Sequence, residues 1–188
     1  MKRDKSLIIN LLSGPGVGKS VMATRVFSAL KDQGIVAEMA LEFAKDLTWE
    51  GRHNALTCQP YVLGEQIWRV DRLIHAGVEI IITDSPVLLS LAYSKEFEHL
   101  PGLALEYHRK LWALNFFLER VKPYSAAGRN QTESEAKVLD DRIEDILIQN
   151  RIHYVDVPGD STGAEMIVQR ALEAWRAKNP KQNGGLNG

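Results

Sequence analysis

The sequence is short of cysteine: Cys58 is the only one in 188 residues. No intrachain disulfide can form, which fits a reducing compartment such as the cytoplasm. Long apolar runs are also missing. None approaches the ~20 residues that a membrane-spanning helix needs, so no membrane partner is expected. The chain opens Met1-Lys2-Arg3-Asp4-Lys5 and continues with an apolar stretch from Leu7 to Leu12. That stretch is too short for a signal peptide and runs straight into a glycine loop, so it reads as a first strand. Excess charge of either sign is absent: 23 Lys and Arg stand against 24 Asp and Glu, a net charge of −1. A histone-like or basic-arm binder of nucleic acid is therefore not expected. Net charge averages over faces, however, and leaves room for a local basic groove. His53, His75, His99, His108 and His153 show no metal-ligand spacing, and Cys58 has no partner, which argues against zinc.

The remaining composition is that of a globular protein, with 45% apolar and 25% charged residues. The length predicts one domain, residues 1–178, followed by a Gly-, Asn- and Lys-rich tail at 179–188 that is expected to be disordered. Strand and helix patterns alternate along it. Strands are predicted at Ser6 to Leu12, Ile35 to Leu41, Val78 to Thr83, Ala113 to Leu118 and Ile152 to Val157. Helices are predicted at Lys19 to Gln33, closed by Gly34, and at Pro60 to Ala76, closed by Gly77. Others are predicted at Pro101 to Leu111, at Thr132 to Gln149, and from Thr162 to about Ala177. Thr132 with Glu135, and Thr162 with Glu165, have capping-box spacing. Val87 to Leu100 fits no single pattern. Alternation of this kind implies an α/β fold, a parallel sheet with helices on both faces.

Ser13-Gly14-Pro15-Gly16-Val17-Gly18-Lys19-Ser20 follows a predicted strand and opens a predicted helix. That is the setting of a phosphate-binding loop. Glycines let the backbone wrap a phosphate with its N–H groups inward, and the helix N-terminus adds partial positive charge. In this reading Lys19 reaches the β- and γ-phosphates of ATP and Ser20 ligates Mg²⁺. The first position of the usual G-x-x-x-x-G-K-S/T pattern is Ser13 instead of glycine, with Gly14 beside it. Asp84, in Thr83-Asp84-Ser85-Pro86, ends the Ile80-Ile81-Ile82 strand, where a Walker B carboxylate would hold Mg²⁺ directly or through water.

No N-K-x-D guanine motif is present, and no D-x-x-G follows the third strand. The chain is also too short for a full AAA+ motor with its lid domain. From Leu7 to Ala177 it resembles the small P-loop kinases of nucleosides and nucleotides. Within that group it is most similar to the nicotinamide-riboside-kinase-like phage ATPases. The resemblance rests on the P-loop, on Glu42-Phe43-Ala44-Lys45-Asp46, on Asp84-Ser85-Pro86 and on Gly128-Arg129-Asn130-Gln131-Thr132-Glu133. It implies a five-stranded parallel sheet of order 2-3-1-4-5. It implies a lid at about 122–131 and an acceptor site beyond strands two and three. Some members of that phage group phosphorylate the hydroxymethyl group of 5-hydroxymethyluracil in DNA, so the resemblance extends to that acceptor, with a free nucleoside, nucleotide or nicotinamide riboside as alternatives. A nucleotide-hydrolysing switch or adaptor is the rival from another class.

The resemblance also assigns roles. Glu42 is the candidate base for the acceptor hydroxyl, with Asp46 and Asp84 as rivals. Arg129, then Arg120, is the candidate for covering the moving phosphoryl group, and Lys122 lies in the same stretch. Val157-Pro158-Gly159-Asp160 occupies the place where the family passes its backbone around adenine, which assigns Gly159 to the nucleotide. Gln66, Arg69 and Arg72 are expected on one helix face toward the acceptor, and Trp49, Tyr61 and Trp68 could stack on a base. Arg52, His53, Arg69, Arg72, Lys95, Arg109 and Lys110 could line a path for a DNA backbone. No oligomeric state is implied.

Overall fold

The computed structural model describes residues 5–93, 96–121 and 132–180. The expected lid at 122–131, with Lys122 and Arg129, lies outside these residues, as do Lys95 and the tail from 181 onward. Five strands form one sheet: β1 (Leu7–Leu12), β2 (Ala37–Ala40), β3 (Ile80–Thr83), β4 (Trp112–Glu119) and β5 (Val155–Pro158). All pairs are parallel and the order is β2-β3-β1-β4-β5, as the resemblance implied. The helices are α1 (Lys19–Asp32), α2 (Phe43–Trp49), α3 (His53–Thr57), α4 (Gln59–His75), α5 (Ser90–Tyr93), α6 (Leu100–Arg109), α7 (Glu133–Gln149) and α8 (Ser161–Lys178).

Every residue of β1 is buried, because a central parallel strand is covered on both faces. Side chains alternate across the pleat. Leu7, Ile9 and Leu11 pack with Met22, Val26 and Leu30 of α1 and with Ile167 and Ala171 of α8. Ile8 packs with Val70 and Ile74 of α4. Leu12 joins Ala104 of α6 and Ile143 and Leu147 of α7. Burying each such aliphatic side chain contributes roughly 1.5–3 kcal/mol. The same strand buries Asn10, whose Nδ2 donates to Asn115 Oδ1 on β4 at 2.8 Å. Asn115 Nδ2 in turn donates to the His153 carbonyl at 2.9 Å. Buried amides need such partners, and these tie β1, β4 and the approach to β5 together.

Several local readings are corrected. α8 is capped by Asp160, not by a Thr162–Glu165 box: Asp160 Oδ1 accepts from Thr162 N at 2.9 Å and from Gly163 N at 3.2 Å. The helix starts at Ser161, so Thr162 is already inside it. Asp160→Ala is expected to cost about 1 kcal/mol, the usual loss for an N-cap. Chemical denaturation will show it as a lower midpoint with an unchanged slope. The Thr132–Glu135 box does form, with both reciprocal bonds in place. Residues 87–100 break into a 3-10 turn at Val87–Leu89, the short α5 and the start of α6. α2 and α3 carry no strong sequence signal and were not foreseen.

Candidate active site

The chemistry-bearing residues gather at the carboxyl edge of the sheet because each follows a strand. The glycine loop follows β1, Glu42 follows β2, Asp84 follows β3, Arg120 follows β4 and Gly159 follows β5. In an open parallel sheet this edge, at the point where strand order reverses, is where ligands bind.

α1 begins without a side-chain cap and without an acidic residue in its first turn. Its N-cap is Gly18 at φ 101°, in the left-handed region that glycine enters without strain. The first N–H groups of the helix are thus left for an anion. Lys19 curls back over the loop: its Nζ donates to the carbonyls of Ser13 and Gly14, both at 2.8 Å. Burial holds this ammonium below its ordinary pKa, while the nearby Glu42, Asp84 and Asp140 carboxylates pull the other way. Ser20 Oγ donates to Asp84 Oδ2 at 2.6 Å. The other oxygen, Asp84 Oδ1, accepts from Glu42 N at 2.9 Å. One carboxylate therefore joins the first turn of α1 to the end of β2. Thr83 and Asp84 are both buried.

Glu42 is the N-cap residue of α2, yet its side chain makes no capping bond. Its carboxylate is raised above the ordinary glutamate pKa, first by burial and then by Asp84, against an opposing pull from Lys19. The rival acid Asp46 is engaged by Arg69 in an ion pair. Arg69 also donates to the Leu41 carbonyl at 3.2 Å and lies over the Phe43 ring at 5.1 Å. Gln66 is buried, accepts from Phe43 N at 3.2 Å and reaches Thr83 Oγ1 at 3.5 Å. Its amide pins the start of α2 against the end of β3. Gln66, Arg69 and Arg72 do not share a face: Gln66 points inward and Arg72 is exposed. Each three-residue step turns back about 60°, so two steps separate them by roughly a third of a turn. Trp68 is 57% exposed and Trp49 is 77% exposed, with Tyr61 edge-on to Phe43 at 5.2 Å.

Arg120 and Asp140 form an ion pair, and the Arg120 side chain is only 15% exposed. Its Nη2 also donates to the Pro15 carbonyl at 2.8 Å. Asp140 Oδ1 accepts from Gly14 N. Asp140, on α7, was missed in the sequence because its partners Arg120 and Gly14 lie 20 and 126 residues away and no local pattern marks it. The signal was the glycine after Ser13. A Cβ on Gly14 would sit 2.8 Å from the Ala136 carbonyl oxygen and 2.9 Å from Asp140 Oδ1. Gly14→Ala is expected to lift α7 off the loop and to cost about 1–3 kcal/mol, the range for overpacking, read as a shift in the denaturation midpoint. Gly159 likewise abuts the loop, where a Cβ would stand 2.7 Å from the Glu119 carbonyl and 3.3 Å from that of Val17.

Arg109 and Lys110 are corrected outright. They end α6 just before β4 begins, at the opposite edge of the sheet from the glycine loop. Six residues of β1 separate the two edges by about 20 Å, so these two stand well away from the glycine loop and Asp84. No described helix is long and apolar enough to cross a membrane.

The fold is shared with a thymidylate kinase from Ehrlichia chaffeensis, known from a crystal structure. The TM-score is 0.58 and the identity 13%, over 90% of this chain and 98% of that one. Among curated proteins, none matches the sequence. The sequence model of a family described as AAA domain matches residues 8–165, most of the chain, with the glycine loop, Glu42, Asp84 and Arg120 inside the matched span, and the chain belongs to that family.

Proposed function

We propose that the protein is an ATP- and Mg²⁺-dependent phosphotransferase acting on a hydroxyl of a nucleoside-like acceptor. One observation carries the reading: a partly buried glutamate, its side chain in no ion pair or hydrogen bond among the described residues, lies close enough to the P-loop lysine and the Walker B aspartate to feel both charges. A carboxylate placed there can take the proton of an attacking hydroxyl, and whether that hydroxyl belongs to an organic acceptor or to water is what the transfer assay reads. The donor set suits magnesium. Ser20 Oγ and Asp84 Oδ2 are hard oxygens 2.6 Å apart, and Mg²⁺ usually takes one or two protein oxygens together with substrate phosphates. When bound, it neutralises charge on the β- and γ-phosphates.

The chain's own residues supply the rest. The α1 N-terminus and the loop N–H groups hold the phosphates. Lys19 leaves the Ser13 and Gly14 carbonyls to meet the phosphoryl oxygens. The acceptor hydroxyl oxygen forms a bond to the γ-phosphorus as the bond from that phosphorus to the β-bridging oxygen breaks, and ADP leaves. Glu42 takes the hydroxyl proton. Burial holds its carboxyl above the ordinary glutamate range, which makes the carboxylate a better proton acceptor than a free one. Arg120 steadies the loop through Pro15, and Arg129, in the lid, is assigned to the moving phosphoryl group.

The favoured acceptor is 5-hydroxymethyluracil in phage DNA, where this activity would serve DNA modification. Trp49, Tyr61 and Trp68 on α2 and α4 offer rings on which bases can stack, and a duplex base must be flipped out to reach such a pocket. A free nucleoside, nucleotide or nicotinamide riboside is the second reading, supported by the fold shared with a thymidylate kinase. Labelled γ-phosphate transfer to duplex DNA with and without 5-hydroxymethyluracil separates them. Label on the modified duplex alone supports the DNA acceptor; label only on free nucleosides or nucleotides removes it.

A further inference from the structure

A cavity of about 460 Å³ opens at the amino edge of the sheet, away from the glycine loop. Its origin is a mismatch of strand lengths. β5 starts at Val155, opposite Phe116, so Trp112 to Asn115 of β4 have no strand on their outer side. The ends of α6 and α7 and the middle of α8 close around this gap. Ligand cavities commonly measure 300–1,000 Å³ and join an apolar floor to a few placed polar groups. Leu114 and Ile152 supply apolar surface here, and Asn115 lines the same wall.

The charged lining is one-sided. Arg109, Arg151 and Arg170 face a single carboxylate, Glu173. None of the three arginines forms an ion pair among the described residues. His108 also lines the cavity, and its buried Nδ1 has no hydrogen-bond partner among the described residues. Burial keeps that ring below its ordinary pKa. Arg151 adds an independent sign. It is the only non-glycine among the described residues at positive φ, 56°. It follows the Asn150 C-cap of α7, with its N–H donating to the Ile148 carbonyl at 3.0 Å, where glycine is the usual occupant. A guanidinium is carried at a position that costs strain, and such strain clusters at binding sites.

We infer that this cavity is a second ligand site, taking a mononucleotide-sized organic phosphate. Its phosphate meets Arg109, Arg151 and Arg170, and its apolar body lies against Leu114 and Ile152. Three guanidiniums against one carboxylate leave an excess of two positive charges, which matches the charge of about −1.5 to −2 on a phosphate monoester. Guanidinium forks fit phosphate oxygens two at a time. AMP is the chosen probe because it lacks the β- and γ-phosphates that the glycine loop grips.

The test is backbone and histidine-ring NMR of the full chain titrated with AMP, with adenosine as the phosphate-free control. Shifts at Asn115, Arg151, Ile152 and the rings of His108 and His153 are expected, apart from any at Gly16 and Gly18. Adenosine is expected to bind at least about tenfold more weakly, as is AMP to Arg151→Gly/Arg170→Gln. Both substituted residues are exposed, and glycine suits position 151, so this variant keeps its fold. Shifts confined to the glycine loop, equal binding of adenosine and AMP, or undiminished binding by the variant would each overturn the inference.

Discussion

Lys19→Ala is expected to lower phosphoryl transfer by at least about 100-fold, the scale for removing one preorganised charge-stabilising donor from a transition state. Two consequences add. The buried ammonium that offsets the charge of Glu42, Asp84 and Asp140 is lost, so the surroundings of the glycine loop become more negative. The Ser13 and Gly14 carbonyls also lose the donor that holds them at 2.8 Å. Nucleotide affinity is therefore expected to fall together with the rate, and calorimetric titration with ATP beside the transfer assay will show both. Arg120 cannot substitute, because its guanidinium is held by Asp140 and the Pro15 carbonyl. A variant that keeps wild-type transfer would remove the glycine loop from the mechanism.

Glu42→Gln is the more discriminating change. Transfer is expected to fall by about 10²–10⁴, the usual contribution of a general base. ATP binding should hardly change, because the contact to Asp84 is made by the Glu42 backbone N–H, which glutamine retains at 2.9 Å. The pH profile gives a second reading. A base must be unprotonated to accept, and burial raises the Glu42 pKa, so wild-type kcat/KM should climb with pH through a value above that of a free glutamate. That acidic limb should vanish in the glutamine variant. An unchanged rate would transfer the role to Asp84, since Asp46 is engaged by Arg69.

Much of this arrangement could be read from the chain. The apolar runs Leu7–Leu12 and Ile80–Ile82 announced buried parallel strands, since full burial on both faces leaves no polar alternation. The glycine loop declared itself through its residues and its place between strand and helix. What failed was information held at a distance. Asp140 looks like any surface acid of an amphipathic helix until α7 is packed against Gly14. Gln66 looked available to a ligand because spacing cannot say which side of α4 meets α2, and in the fold its amide is taken by Phe43 and Thr83. Arg109 and Lys110 looked like part of a basic path, and only the position of α6 before β4 sets them at the far edge. The α8 cap was misread by a narrower margin. Asp160 and Thr162 both have capping chemistry, and the choice depends on where β5 releases the chain.

The most direct test of the central claim is the partition of γ-phosphate between transfer and hydrolysis. Purified protein with labelled ATP and Mg²⁺ would be offered 5-hydroxymethyluracil DNA and a panel of free nucleosides, nucleotides and nicotinamide riboside. Label appearing on an organic acceptor, dependent on Glu42, is the predicted result. Release of inorganic phosphate alone, at a rate no acceptor changes and Glu42→Gln leaves intact, would contradict it and identify a nucleotide-hydrolysing switch.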